Sequence, residues 1–241
     1  MSQIIGRKPV LEALKSNTKI DRIQIAFGQT GEIISQIKSI AERKGIRVNV
    51  VSPVKLSAEQ RNQGVIAFQS ELKFFGPNEI IESSVKNKFP LILILEHIQD
   101  THNLGAILRT AEAAKVDGVL ITRHETAPIN EVVAKTSAGA VSHLKIAQIS
   151  SLANIAKTLK EKGFWLIGTS LKANKNYFDE SYNVPIALIL GNEEKGLRHN
   201  TEGFCDSLIK IPMLGRIQSL NVSVSAGIFL FEIVKQRHSI Q

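Results

Sequence analysis

Two kinds of apolar pattern divide the chain. In the first stretch, apolar positions recur in short pieces with helical or strand spacing. Residues 6–14 predict a short helix, 20–27 a strand, 32–44 an amphipathic helix and 46–51 a strand. Residues 54–61 then predict a helical turn or two, and 64–68 a further strand. From Pro90 the strands become apolar throughout: 91–95, 119–121, 164–167, 187–190 and 208–211. Helical patterns at 104–114, 152–162 and 222–235 separate them, which predicts a parallel sheet covered on both faces. Between the stretches, Gly76-Pro77 followed by Ser83, Ser84, Lys86, Asn87 and Lys88 has a linker composition. The expected fold is α/β, with a small module over residues 1–72, a linker over 73–89 and a larger parallel-sheet domain over 90–241.

Charge separates the same regions. Residues 1–74 hold 12 Lys/Arg against 6 Asp/Glu, a net of +6, whereas the remainder holds 18 against 16. A basic first third points to a polyanion, with nucleic acid ahead of an anionic membrane. No basic amphipathic helix or lipidation signal favours the membrane. No apolar run approaches the ~20 residues of a bilayer span, and the N-terminus lacks the pattern of a signal peptide. Cys205 is the single cysteine, so no intrachain disulfide forms. A cytoplasmic protein is expected.

Several familiar chemistries drop out. The six histidines lack metal-ligand spacing, so no metal is expected. There is no phosphate-binding P-loop, no nucleophile elbow and no dinucleotide glycine fingerprint after any strand. Gly28-Gln-Thr-Gly31 matches a nucleic-acid-clamping GxxG but follows a strand rather than a helix, and reads as a turn.

Three segments remain, each beginning where an apolar strand ends, which is where α/β proteins place ligand sites. In Asn103-x-Gly105-x-x-x-Arg109, Asn103 suits a helix N-cap and Gly105 permits close approach of a backbone or ligand. Arg109 either serves a site or pairs with Glu112 along the helix. In Gly191-Asn-Glu-Glu-Lys-Gly-Leu197, two glycines bracket an acidic pair in a tight loop. The third segment runs Ile211-Pro-Met-Leu-Gly-Arg-Ile-Gln-Ser-Leu-Asn-Val-Ser-Val224. Ser219 or Asn221 caps the long helix that follows, and such a helix start also suits a ligand carboxylate.

Together these segments, with Ser137-Ala-Gly-Ala140 and Gly168-Thr169 between them, resemble the SpoU family of S-adenosylmethionine-dependent RNA ribose 2'-O-methyltransferases. The likeness runs from about residue 90 to 237. The opening Gly6-Arg-Lys-Pro-Val-Leu-Glu-Ala-Leu14 resembles the substrate-binding domain of many members, itself similar to RNA-binding ribosomal proteins. Arg7 and Lys8 are the RNA-binding candidates there. The resemblance implies a trefoil-knotted C-terminal domain and a homodimer. It is closest to bacterial enzymes that methylate a guanosine ribose in the peptidyl-transferase region of 23S rRNA. The partner is then 23S rRNA or a ribosome assembly intermediate. A tRNA ribose methyltransferase and a non-catalytic RNA-binding or ribosome-assembly protein are the alternatives.

By the same likeness, Arg109 activates the ribose hydroxyl, Asn103 and Glu193 position it or the arginine, and Asn221 shapes the catalytic side. Thr169, Gly191, Ile211, Ser219 and Leu220 hold the cofactor. A guanidinium with a pKa above ~12 is a poor base, so Arg109 can instead bind a phosphate and stabilise an alkoxide. Two departures stand out. Glu96-His97 replaces an Asp-Gly type of pair, and Thr101 stands where proline is common.

Overall fold

A computed structural model describes residues 3–16, 18, 20–53, 62–69 and 74–238, in two units, Met1–Leu72 and Lys73–Gln241. The first holds β1 (Gln3–Ile5), α1 (Arg7–Lys15), β2 (Ile20–Ala26), α2 (Glu32–Arg43), β3 (Arg47–Val51) and β4 (Val65–Gln69). Its sheet order is β1-β4-β2-β3, with β3 parallel to β2 and β4 antiparallel to both neighbours. Alternate positions face the helices. Ile23, Ile25, Val65 and Ala67 pack with Val10 and Leu14 of α1 and with Ile34 and Ile37 of α2. The helical turns expected over 54–61 fall outside the described residues.

The second unit begins with a correction. The stretch expected as linker over 73–89 contains a helix, α3 (Pro77–Ser84). Its Gly-Pro is not loop punctuation but the N-cap and first helical residue, where proline's missing N–H is no loss. The Gly76 N–H donates to the Glu79 carboxylate at 3.4 Å. Ile80 and Ile81 are fully buried in the core, where the helix packs on the strands Leu91–Leu95, Gly118–Thr122 and Ile146–Ile149. Burying two such side chains stabilises the unit by roughly 3–6 kcal/mol, far more than a tether requires.

There follow β5 (Leu91–Leu95), α4 (Thr101–Ala113), β6 (Gly118–Thr122), α5 (Glu131–Thr136), β7 (Ile146–Ile149), α6 (Leu152–Glu161), β8 (Trp165–Thr169) and β9 (Lys175–Asn176). The unit closes with β10 (Ile186–Leu190), α7 (His199–Glu202), β11 (Ser207–Lys210) and α8 (Val222–His238). All seven strands are parallel, in the order β7-β6-β5-β10-β8-β11-β9. Every residue of β5 and β10 is buried, as the unbroken apolar runs require. No described helix is long and apolar enough to cross a membrane.

Two features of this sheet position the site. The chain leaves β5 towards β6 and β7 on one side, then returns to build β8, β11 and β9 on the other. The β5/β10 boundary is therefore a switch point, and a crevice opens at its carboxyl end. The pair is also in flush register, Leu91 with Ile186 through Leu95 with Leu190, so both strands end at one level. The Glu96 N–H donates to the Leu190 carbonyl at 2.9 Å, which sets the loops that follow side by side. Helix α8 packs along α4. At its far end Arg237 donates to the carbonyls of Phe89, Pro90, Tyr182 and Val184, fastening it to the amino ends of β5 and β10.

Candidate active site

The first motif opens α4, but its cap is not Asn103. Asp100 is the N-cap, its carboxylate accepting the Asn103 N–H at 2.7 Å. That places Thr101 at the first helical position, where proline and threonine both fit. It also releases the Asn103 side chain for other work. Gly105 is buried against α5, and a Cβ there would lie 2.7 Å from Thr136 Cβ and 3.0 Å from the Val133 carbonyl. The close approach that Gly105 permits is to a neighbouring helix rather than to a ligand.

The second motif closes on itself after β10. Asn192 and Gly196 exchange backbone hydrogen bonds at 3.0 Å. Asn192 Oδ1 accepts from the Glu194 and Lys195 N–H groups at 2.9 and 3.1 Å. A Cβ on Gly191 would lie 2.3 Å from the Gly196 carbonyl carbon, so only glycine lets the loop fold back this tightly. Asn192 Nδ2 reaches the His97 carbonyl at 2.9 Å and Glu193 Oε2 at 3.3 Å, tying this loop to the one after β5.

Glu96 and His97 complete that tie. Glu96 is buried and accepts the Arg198 N–H at 3.0 Å and the Thr201 hydroxyl at 2.6 Å. His97 has φ +58°, a conformation that costs a non-glycine residue roughly 1–2 kcal/mol. Compensation comes from its Nδ1 contact with the His124 carbonyl at 2.9 Å and from its N–H donated to Thr122 at 3.0 Å.

The third motif reaches back to the first. Asn221 precedes α8 and caps it, Oδ1 accepting the Ser223 N–H at 2.9 Å and the Ser223 hydroxyl at 2.6 Å. This fixes which way its amide points, because Oδ1 is committed to the helix. Its Nδ2 donates to Asn103 Oδ1 at 2.9 Å, and Asn103 Nδ2 donates to Glu193 Oε1 at 3.2 Å. A carboxylate can only accept, so both ends of the relay agree on its polarity. Residues 90 and 118 positions apart are thereby joined into one chain of amides that ends on a carboxylate.

Arg109 is not part of this chain. It is exposed, six residues along α4 from Asn103, and makes no hydrogen bond or ion pair with the described residues. The pairing with Glu112 does not form. Thr169, Gly191 and Ile211 lie at the carboxyl ends of the neighbouring strands β8, β10 and β11, and the Thr169 hydroxyl donates to the Ile189 carbonyl at 3.2 Å. Ser219 and Leu220 are exposed on the approach to α8. Residues 212–220 make no backbone hydrogen bond with the described residues, and Leu214 is 97% exposed. Arg7 and Lys8 belong to the other unit, at the start of α1. No cluster of three metal-ligand side chains occurs among the described residues. Burial pushes the Cys205 thiol up to about 12, so it is not a thiolate nucleophile at neutral pH.

A family model described as the SpoU rRNA Methylase family matches residues 90–231. The chain belongs to the SpoU rRNA methylase family. A second model, RNA 2'-O ribose methyltransferase substrate binding, matches residues 3–75. The SpoU activity, methyl transfer to RNA ribose 2'-hydroxyls, accordingly applies to this chain. YacO of Bacillus subtilis, named as a TrmH-family tRNA/rRNA methyltransferase, is 33% identical over 98% of this chain and 96% of its own length. The SpoU methyltransferase AviRb from Streptomyces viridochromogenes, solved in complex with AdoMet, matches with a TM-score of 0.70 at 21% identity, over 98% of this chain and 90% of that one. The TrmH/SpoU tRNA modifying enzyme of A. aeolicus matches with a TM-score of 0.59 at 30% identity, over 68% of this chain and 83% of that one.

Sequence reasoning missed the parts that Asp100, Asn192, Glu96 and Ser223 play in holding these loops. Two left a signal: an Asp three residues before Asn103 has capping-box spacing, and Ser223 follows Asn221 at the spacing of an Asx turn.

Proposed function

We propose that the chain transfers a methyl group from S-adenosylmethionine to the ribose 2'-hydroxyl of a guanosine in the peptidyl-transferase region of 23S rRNA. It acts as a cytoplasmic homodimer on 23S rRNA or an assembly intermediate. The observation that carries this reading is the relay from Ser223 through Asn221 and Asn103 to Glu193, which gathers all three motifs at the switch point. The domain division at 72/73 and the trefoil knot belong to the same reading. Placement of β10 between β5 and β8, both earlier in the chain, is consistent with the knot.

The residues present fit the cofactor. Residues 212–220 offer backbone groups with no backbone partner among the described residues and exposed apolar side chains (Leu214, Ile217 and Leu220), suited to an adenosyl group. Thr169, Gly191, Ile211, Ser219 and Leu220 would hold it. When bound, it supplies an electrophilic methyl group on a sulfonium. The chain's own part is alignment and charge. Arg109, lacking a partner among the described residues, presents its guanidinium to the hydroxyl and the adjacent phosphate. Its permanent charge stabilises the alkoxide as the hydroxyl proton leaves to solvent. Asn103 and Glu193 hold the hydroxyl in line, and Asn221 fixes Asn103. The homodimer draws support from Val224 and Phe231, exposed seven residues apart on α8.

Methylation of tRNA is the second reading, favoured by the A. aeolicus neighbour. That likeness spans only 68% of the chain, whereas the substrate-binding model covers residues 3–75. Incubation with labelled S-adenosylmethionine and separate rRNA and tRNA transcripts decides between them. Label in one alkali-resistant dinucleotide of 23S rRNA is expected, and exclusive labelling of tRNA would overturn the assignment. RNA affinity should also fall steeply with salt, as basic side chains displace counterions from phosphates.

A further inference from the structure

One end of the first unit carries chemistry that the methyl-transfer site does not use. Phe27, just past β2, is 76% exposed, well above Trp165, Phe178 or Phe231. Its backbone is nonetheless fixed. The Phe27 N–H donates to the Val51 carbonyl at 2.8 Å, and the Gln29 N–H returns to the Ala26 carbonyl at 3.2 Å. The ring thus stands exposed on a hydrogen-bonded turn, outside every apolar cluster of the described residues.

Arg7 lies at the same end. Its Nε donates to the Gln63 carbonyl at 3.1 Å, Nη2 to the Gln29 side-chain oxygen, and its backbone N–H to Gln63 Oε1 at 3.2 Å. It pairs with no carboxylate among the described residues, and it lines a cleft with Gln29, Gln63 and Gly64. The Gln29 side-chain amide and the Gln63 backbone carbonyl, both neutral, hold the guanidinium in place without neutralising it. By contrast, Lys15 and Arg43 sit in the last turns of α1 and α2, where they complement the helix dipoles.

We propose that this end binds one unpaired RNA nucleotide, its base stacked on Phe27 and its phosphate on Arg7 and Lys8. This rests on the RNA-directed activity proposed above and names the part of the substrate that the first unit reads. Sequence-selective RNA binders splay unpaired bases onto aromatic rings and guanidinium planes. The net charge of +6 over residues 1–74 favours a polyanion, and the amides beside Arg7 suit the polar edge of a base.

The test uses the full chain and two fluorescent RNAs, one with a single-stranded loop and one fully paired. Phe27→Ala should weaken loop-RNA binding about tenfold and leave duplex binding unchanged. Phe27→Trp should restore it, and in a Trp165→Phe background its emission should be quenched by loop RNA. Arg7→Ala should weaken both RNAs and flatten the salt dependence. Wild-type affinity of the Phe27→Ala protein for loop RNA would overturn the inference, as would Phe27→Trp emission indifferent to RNA or preferential binding to anionic phosphatidylserine vesicles. Normal methylation and donor binding beside such a result would leave the proposed function standing. Quenching of the Phe27→Trp, Trp165→Phe reporter by loop RNA, beside a wild-type protein that never methylates RNA, would do the reverse.

Discussion

Two loops follow neighbouring parts of one sheet and are built in opposite ways. The loop after β10 is pinned: it closes on itself through Asn192 and Gly196 and is tied to the β5 loop through His97 and Glu96. The segment after β11 is bare, with residues 212–220 free of backbone hydrogen bonds to the described residues and Leu214, Ile217 and Leu220 exposed. Backbone groups left unpaired are tolerated only where water or a ligand can meet them. The contrast assigns the loops different duties. Under the proposed function, the pinned one holds catalytic geometry in advance of substrate, and the bare one acquires its order from what binds.

Removing the cation proposed to act beside the pinned loop should have the largest effect. Arg109→Ala removes a guanidinium that has no partner among the described residues, so under the proposed function it should lower kcat by about 10²–10⁴-fold while leaving cofactor affinity near normal. Steady-state kinetics with calorimetry checks this, and unchanged turnover would exclude both roles considered for Arg109. The bare side should respond to ligand rather than to mutation. Arg216 lies exposed within it and is a tryptic site. Cofactor at ten times its Kd should slow cleavage there about tenfold, by mass action on the open form. Cleavage indifferent to cofactor would mean that this segment does not close over it.

The smallest effect lies away from both loops and controls for general loosening. Burial alone would raise the Glu180 carboxyl, but hydrogen bonds from Ser207, Lys175 and the Ser181 N–H outweigh it and hold the group below its ordinary 4.5. A depressed carboxyl stabilises the fold above its unfolded value, and that contribution is lost as pH falls through the lower folded value. Thermal melting should therefore drop more steeply below pH 4.5 in the wild type than in Glu180→Gln. At neutral pH the variant should melt a few degrees lower, from a loss of about 1–3 kcal/mol. Parallel melting curves would remove that role.

The sequence made some of this legible and hid the rest for physical reasons. Strand β5 could be read directly because every one of its side chains is buried, leaving no polar position to blur the pattern. Helix α3 was hidden because Gly76-Pro77 is equally good chemistry for a loop and for a helix start. Six-residue α5 is too short to display a period. At the site, Asn103, Glu193 and Asn221 were identifiable by likeness, yet their relay was not, since its contacts span 90 and 118 residues. Asn103 was expected as a cap and is not one, because Asp100 competes for that place three residues earlier.

The account stands on the relay acting as one unit, and a double-mutant cycle on kcat measures that directly. Asn103→Ala and Asn221→Ala should each slow methyl transfer by about 10–100-fold, with the double variant scarcely worse than either, as for groups that work only together. Effects that multiply in the double variant, with melting temperatures matched, would mean that the two asparagines act separately and that the three motifs do not form a single device.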